Sequence, residues 1–360
     1  MWRKWVKETH WPLVFSTLGL AAVGTMFIFS ASYHDSGHYM SKHLFWMGAA
    51  LGVLFLIPVM GYRTFLNISY LLYGVSLMLL AAVLVIGEQR LGAQRWLQIG
   101  PLLIQPSEFA KLATILALAN FLGANHPWEK KWSVVLASAG ITFLPLVLIA
   151  KQPDLGSAIM FVPLLAGLLF LWGMRRRFFI LGGIIATVAA PLFWGFLKAY
   201  QKKRILVFLN PNLDPLGSGY TAIQSKIAVG SGGLLGKGYL AGTQSQLQFV
   251  PEHHTDFIFC VVGEEWGYAG TLFVLLLYSF LFRSAFQVME HTTDVKAKLL
   301  VAGILAVLFA QIFVNIGMSF GLTPITGITL PLISYGGSSL VATTLALGII
   351  LSIHKERSIF

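Results

Sequence analysis

The chain has 360 residues, 56% of them hydrophobic and only 11% charged, with a formal net charge of +11. A soluble domain carries about a quarter charged residues, so this composition excludes a water-soluble globule. The single cysteine, Cys260, excludes an intramolecular disulfide and reads as a packed core thiol.

Apolar runs of about 20 residues, long enough to cross a bilayer as helices, recur along the chain. The first, 12–32, follows a basic segment, Met1 to His10, without a clear small-residue cleavage site, and reads as a retained helix. Further spans are expected at 43–60, 65–86, 107–123, 133–150, 156–173, 178–198, 257–282, 300–320 and 338–353. The expectation is therefore an all-α polytopic membrane protein of about ten transmembrane helices. It forms one domain over 1–360, with a long loop at about 199–256 between helices 7 and 8.

An even number of spans puts both termini on one side. That side would hold Arg3, Lys4, Lys7, Arg63, Lys130, Lys131, Arg175, Arg176, Arg177, Arg283, Lys296, Lys298, Lys355 and Arg357. The short loops opposite hold Lys42, Arg90, Arg95 and Lys151, with Lys111 just inside a span. Basic residues mark the cytoplasmic side, so both termini are expected there. The cytoplasmic loops are then too short for a nucleotide-binding domain. The run 230-GSGGLLGKG-238 lacks the first glycine and the Ser/Thr of a phosphate loop, and it falls on the outer side. Any chemistry belongs to the outer face, in 87–106, 199–256 and 321–337.

Charges near membrane depth are costly and persist only when packed, wet or at an interface. Several collect at the outer ends of spans: Arg95, Glu108, Lys111, Asp154, Asp256 and, further in, Glu264 and Glu265. In 105-QPSEFAKLA-113, Ser107 suits a helix cap, Glu108 the first turn and Lys111 an ion pair with it. In 152-QPDLGSA-158, Asp154 suits a cap before the next helix. Taken alone, each motif reads by default as a capped helix, with a site as the alternative. The loop 217-GSGYTAIQSKIAVGSGGLLGKGYLAGTQSQ-246 carries Lys226, Lys237 and many glycines. It suits close backbone approach to phosphate oxygens, or a surface loop lying on the membrane through Ile223, Ile227, Val229, Leu234 and Leu235.

In 251-PEHHTDFIF-259, Thr255 suits an N-cap and Asp256 a first-turn acid. The adjacent His253 and His254 lack the spacing of a helical metal pair. The glycines and prolines of 321-GLTPITGITLPLISYGGSSL-340 break any regular helix, although the rest is apolar. Such backbone is either an apolar loop packed on the bundle or the lining of a cavity.

Taken in order, 91-LGAQRWLQIGPLLIQPSEFAKLA-113, QPDLGSA, the 217–259 run and 315-NIGMSFGLTPITGITLPLISYGGSSL-340 resemble the SEDS family of shape, elongation, division and sporulation proteins. The short tails and single-domain layout are closest to its elongation branch. The resemblance implies a peptidoglycan glycosyltransferase that polymerises lipid II at the outer face of the bacterial cytoplasmic (inner) membrane. Its implied partners are a class B penicillin-binding protein and the elongation machinery, with no nucleic acid. The aspartate of the family's P-E-x-H-T-D-F motif falls on Asp256, implied as catalytic.

Candidate substrate-binding residues are Arg95, Glu108, Lys111, Asp154, Lys226, Lys237, Glu252 and His253. A divalent metal (Mg or Mn) held by Glu108 is a further candidate. Two rival readings use the same features: a lipid II flippase, and a non-catalytic scaffold for the synthase partner.

Overall fold

The computed structural model describes residues 9–33, 37–90, 93–100, 102–125, 132–215 and 217–357. Arg3, Lys4, Lys7, Lys130 and Lys131, assigned above to the terminal side, lie outside the described residues. The chain opens with α1 (Trp11–Ala31), α2 (His38–Met60), α3 (Tyr62–Asn67) and α4 (Ser69–Ile86). Strands β1 (Glu88–Arg90), β2 (Ala93–Ile99) and β3 (Leu102–Ile104) follow, then α5 (Pro106–Ala124), α6 (Trp132–Lys151), α7 (Leu155–Ile159), α8 (Phe161–Leu171) and α9 (Arg176–Phe193). After these come α10 (Ala199–Leu209), α11 (Ser218–Ser231), α12 (Thr243–Gln246), α13 (Ile258–His291), α14 (Val295–Phe320) and α15 (Gly337–Arg357).

Seven of these helices (α1, α2, α4, α6, α13, α14 and α15) are long and apolar enough to cross a bilayer. Their apolar side chains face outward as well as inward, as a lipid solvent requires: Phe15, Leu71, Phe143 and Phe313 are exposed while Phe27, Phe259 and Leu347 are fully buried. Helices also occupy the other three expected segments. There α7 and α8 form a shorter apolar pair, α9 lies at the edge, and α5 runs through the interior with Glu108 and Lys111 buried in it.

Hydrogen bonds define the two ends of the bundle. At one end the His10 and His354 rings meet edge to face, Lys355 reaches Pro58 O, Tyr62 donates to Asp294, and Lys296 donates to Asn120. Trp172 donates to Leu122 O and Asn125 O at this same end. The start of α1 and the last turn of α15 therefore lie together, beside Arg63, Lys296 and Lys355. At the other end stand Arg95, Asp154, His253 and Asp256.

The all-α expectation needs one correction. A three-stranded antiparallel sheet, in the order β1-β2-β3, separates α4 from α5. Its β2–β3 register pairs Leu97 with Ile104, Gln98 with Leu103 and Ile99 with Leu102. These strands are short and lie between two apolar spans, so hydropathy read them as loop. The short alternation Leu97–Gln98–Ile99 along β2 is the signal that was available.

The long loop is also ordered. Within it α11 packs against α13 and α14. Ile227, Leu234 and Leu235, three of the residues named for a membrane-facing side, are exposed. The glycine run after α11 has a structural purpose. Helix α13 breaks at Gly267 (φ 62, ψ −154), which frees backbone groups on both sides. The loop satisfies four of them. Lys237 and Gly238 N–H donate to the Glu264 and Glu265 carbonyls (3.0 Å each), and Tyr268 and Ala269 N–H donate to Gly233 O (2.9 Å) and Leu234 O (3.0 Å). The amides of Lys237 and Gly238, two of those that suited a phosphate cradle, are engaged with a broken helix instead.

Gly236 has φ 80, and a Cβ there would meet the Glu265 carbonyl. Gly236→Ala is expected to destabilise the detergent-solubilised protein by about 1–3 kcal/mol, read as a lower thermal midpoint. Gly48→Ala, with open space around it, is expected to change stability by less than about 0.5 kcal/mol.

Candidate active site

Asp256 lies in the turn 251–257, before the first residue of α13. The expected cap is not formed: Phe257 occupies the N-cap position and no side chain caps the helix. The Glu252 backbone takes a left-handed conformation (φ 52), and its carbonyl gathers the N–H groups of Thr255 (3.2 Å), Asp256 (3.1 Å) and Phe257 (3.3 Å). The Thr255 hydroxyl turns back to the Glu252 carboxylate at 3.1 Å. This tight turn absorbs the groups that would have capped the helix. Asp256 stands outside the first turn, where helix-dipole stabilisation of an anion is strongest.

Every side of the turn is tied down. Asn315 on α14 donates through Nδ2 to Asp256 O (2.8 Å) and to Ile328 O (2.6 Å). Ser334 Oγ donates to Thr255 O at 2.5 Å, and Tyr335 N–H donates to His254 O at 3.0 Å. His253 is buried with Nδ1 3.0 Å from Val250 O and Nε2 2.8 Å from Ala31 O, which straps the turn to the end of α1. Gly327 has φ 75, and a Cβ on it would stand 3.3 Å from Asp256 Oδ2. The irregular 321–337 segment thus forms the wall against which the aspartate is set.

The opposite wall is basic. Arg95, carried by β2, donates from Nη2 to Pro153 O (2.7 Å), with Nη1 3.6 Å from Asp154 Oδ1. Asp154 caps α7, as expected, by accepting from Ser157 N–H at 3.1 Å, and Gln105 Nε2 reaches its other oxygen at 3.4 Å. Arg95 Nε is buried without a partner among the described residues. Arg204 on α10 comes from the other side, electrostatically coupled to Arg95, Asp154 and Asp256. Arg204 and Lys226 also line a small cleft with Phe208, Gly321 and Pro324.

These neighbours set the chemistry of Asp256. Burial raises its pKa, the Glu252 carboxylate adds to the rise, and Asp154 contributes; Arg95 and Arg204 pull the other way. The outcome is a carboxyl pushed up to about 7. A group titrating there accepts a proton readily at neutral pH, and it lies within the electrostatic field of two guanidinium groups suited to an anion.

The structure brings together Asp256, Glu252, His253, Arg95 and Asp154, with Lys226 in the adjoining cleft. It does not add the others to this group. Glu108 and Lys111 form the expected pair at 2.8 Å, but buried inside α5. Lys237 bonds Glu264 Oε1 and Thr243 Oγ1 at 2.7 Å each, beneath the loop. Glu264, fully buried, also accepts from Gln244 N–H (2.8 Å) and Ser245 N–H (3.0 Å).

Glu108 does not fit a divalent metal. One of its oxygens already faces an ammonium group, and among the described residues no three acidic, histidine or cysteine side chains gather as ligands. Sequence reasoning missed Arg204, one of several cations in a long loop with no motif around it. It also gave no role to Asn315, although that residue opens a quoted motif.

The family described as cell cycle protein, covering FtsW, RodA and SpoVE, matches residues 11–359. The chain belongs to this family. It is 40% identical to the peptidoglycan glycosyltransferase MrdB of Escherichia coli K12, over 98% of this chain and 96% of that protein. It is 34% identical to the peptidoglycan glycosyltransferase RodA of Treponema pallidum, over 98% and 99%. Among solved structures, a chain from a study of polymerization and crosslinking by a peptidoglycan synthase complex matches with TM-score 0.84 and 37% identity, covering 96% of this chain and 98% of that one. RodA of Thermus thermophilus matches with TM-score 0.73 and 31% identity, covering 96% and 97%. The FtsW/RodA/SpoVE fold therefore extends over the multi-pass helical bundle and the walls around Asp256.

Lys237→Met separates a structural role from a substrate contact. It is expected to cost about 1.5–3 kcal/mol of stability by removing a charged hydrogen bond from buried Glu264. A rise in substrate KM with an unchanged thermal midpoint would instead return Lys237 to the substrate.

Proposed function

We propose that this chain, a peptidoglycan glycosyltransferase by kinship over nearly its whole length, polymerises lipid II with Asp256 as general base. The observation that carries this reading is the placement of Asp256: a partly buried carboxyl, set against Gly327 and anchored through its backbone to Asn315, held near neutrality in the field of Arg95 and Arg204. The acceptor's terminal 4-hydroxyl gives its proton to Asp256 as its oxygen bonds to C1 of the donor sugar. The C1–O bond to the diphosphate breaks, and polyprenyl diphosphate leaves with the electron pair. An α-linked donor giving a β-1,4 bond requires inversion, so one base is enough. Arg95 and Arg204, with Lys226 in the cleft that Arg204 lines, would neutralise the departing diphosphate. No step is routed through a metal.

The proposal extends to topology and partner. Ten spans with both termini in the cytoplasm agree with helices at all ten expected segments and with Arg63, Arg175, Arg177, Lys296 and Lys355 at the terminal end. This orients Asp256 to the outer face of the cytoplasmic membrane, where lipid-linked precursors are polymerised and a class B penicillin-binding protein crosslinks the strands. The flippase reading fits less well, because the clustered charges sit at one end of the bundle and do not trace a polar path through its middle.

Polymerisation of labelled lipid II by the purified chain with its partner, crosslinking blocked, tests the base. Asp256→Asn is expected to lower the rate by about 10²–10⁴-fold, the typical contribution of a positioned base. Full activity in that variant would reduce Asp256 to a structural residue, and translocation of lipid II without new glycosidic bonds would favour the flippase.

The pH profile tests the environment. The base form of a carboxyl raised to about 7 predominates only above that pH, so kcat/KM is expected to fall as pH drops through 7. Glu252→Gln removes a neighbouring negative charge and is expected to move this limb to lower pH. Arg95→Gln removes a positive one and is expected to move it higher. Identical limbs in all three proteins would disconnect the profile from Asp256.

A further inference from the structure

At the terminal end of the bundle, far from Asp256, a cleft of about 240 Å³ opens between the start of α6, the end of α8 and the start of α9. Its lining includes Trp132, Val135, Trp172, Arg175, Arg177 and Phe178. The aromatic walls are fixed in place. The Trp172 indole donates to Leu122 O (3.1 Å) and Asn125 O (3.0 Å), and Trp132 meets Phe178 edge to face at 5.1 Å. The arginines are exposed, and among the described residues no acid pairs with Arg175 or Arg177. Arg177 lies over the Phe178 ring at 5.1 Å.

Helix α9 leads away from this cleft as an apolar ladder. Ile180, Ile184, Val188 and Leu192 follow at one-turn spacing, each more than half exposed. From Ile180 to Leu192 the rise is about 18 Å, comparable to half the thickness of a bilayer's hydrocarbon core. On the adjoining helix α6, Leu136 and Phe143 are also exposed. A cationic, tryptophan-walled cleft at an interface, continued by an apolar track of one leaflet's depth, matches an amphiphile with an anionic head and hydrocarbon tails.

We propose that this cleft is a binding site for an anionic phospholipid of the leaflet on the terminal side. The phosphodiester is held by Arg175 and Arg177 between Trp132 and Trp172, and the acyl chains lie along α9 and α6. Two arginines can hold phosphate oxygens from two directions, whereas the ammonium of a zwitterionic headgroup would be repelled by them. The site is separate from the reaction centre, and its occupancy does not depend on what Asp256 does.

Native mass spectrometry of the detergent-purified full chain, titrated with phosphatidylglycerol or phosphatidylcholine, tests this. Phosphatidylglycerol is expected to bind about tenfold more tightly, from two favourable charge contacts. Arg175→Gln with Arg177→Gln should abolish the preference, and Arg175→Lys with Arg177→Lys should keep most of it. Equal retention of the two lipids, or a Gln variant that keeps the preference, overturns the proposal. Glycerol 1-phosphate at matched concentration is expected not to displace the lipid; full displacement would make this a small-anion pocket and reject the lipid. In case the Gln variant does not fold, phosphatidylglycerol with a photoreactive acyl chain should label α6 and α9 of the wild type. Label confined to other helices, or a co-purified protein covering this face, would equally overturn the assignment.

Discussion

The structure depends on one constraint: backbone polar groups that leave a helix within a membrane protein must find partners inside the protein. Two irregular segments, 251–257 and 321–337, lie side by side at one end of the bundle, and they meet this demand mutually. Asn315 bridges the carbonyls of Asp256 and Ile328, Ser334 reaches Thr255 O, and Tyr335 N–H reaches His254 O. Neither segment could stand alone at this depth. Their pairing fixes the position of Asp256 without using its carboxylate, which is left for chemistry. The same constraint explains the break at Gly267, where a glycine-rich loop supplies the partners that the interrupted helix lacks.

Charge placement follows from the same economy of partners. Buried Glu264 is surrounded by donors and anchored to Lys237, and Glu108 is closed on Lys111. Both carboxylates have their partners within the protein. Around Asp256 the balance is left open: carboxylates at Glu252 and Asp154 oppose guanidinium groups at Arg95 and Arg204. Arg95 holds Pro153 O and approaches Asp154, yet one of its buried nitrogens has no partner among the described residues. An unfinished set of cations beside a carboxyl near neutrality suits a reaction that moves a proton to the protein and negative charge to a leaving group.

Much of this was legible in the sequence. The deficit of charge dictated a membrane protein, and the length of the apolar runs placed helices at all ten expected segments. The Glu108–Lys111 pair and the Asp154 cap were readable from local spacing, because both involve residues within one turn. The sheet carrying Arg95 was not, since its strands are short and its pairing is set by neighbours outside the hydropathy pattern. Nor was the uncapped start of α13: Thr255 had the right chemistry for a cap, but the left-handed turn at Glu252 took its hydrogen bond.

The sequence by itself determined the solvent, the helices and the local Glu108–Lys111 pair, because these depend on composition, period and spacing; the acid to watch came from the resemblance of its motif to the SEDS family. The tertiary structure alone decided which cations face that acid. Arg204, Arg95 and Asp256 are separated by long stretches of chain, and the field each exerts on the others depends on distance through a low-dielectric interior. It also decided that the glycines of 232–238 support a broken helix and that Lys237 completes a buried pair. Those outcomes rest on which backbone groups are left unpaired when helices cross, a quantity that exists only once they have packed.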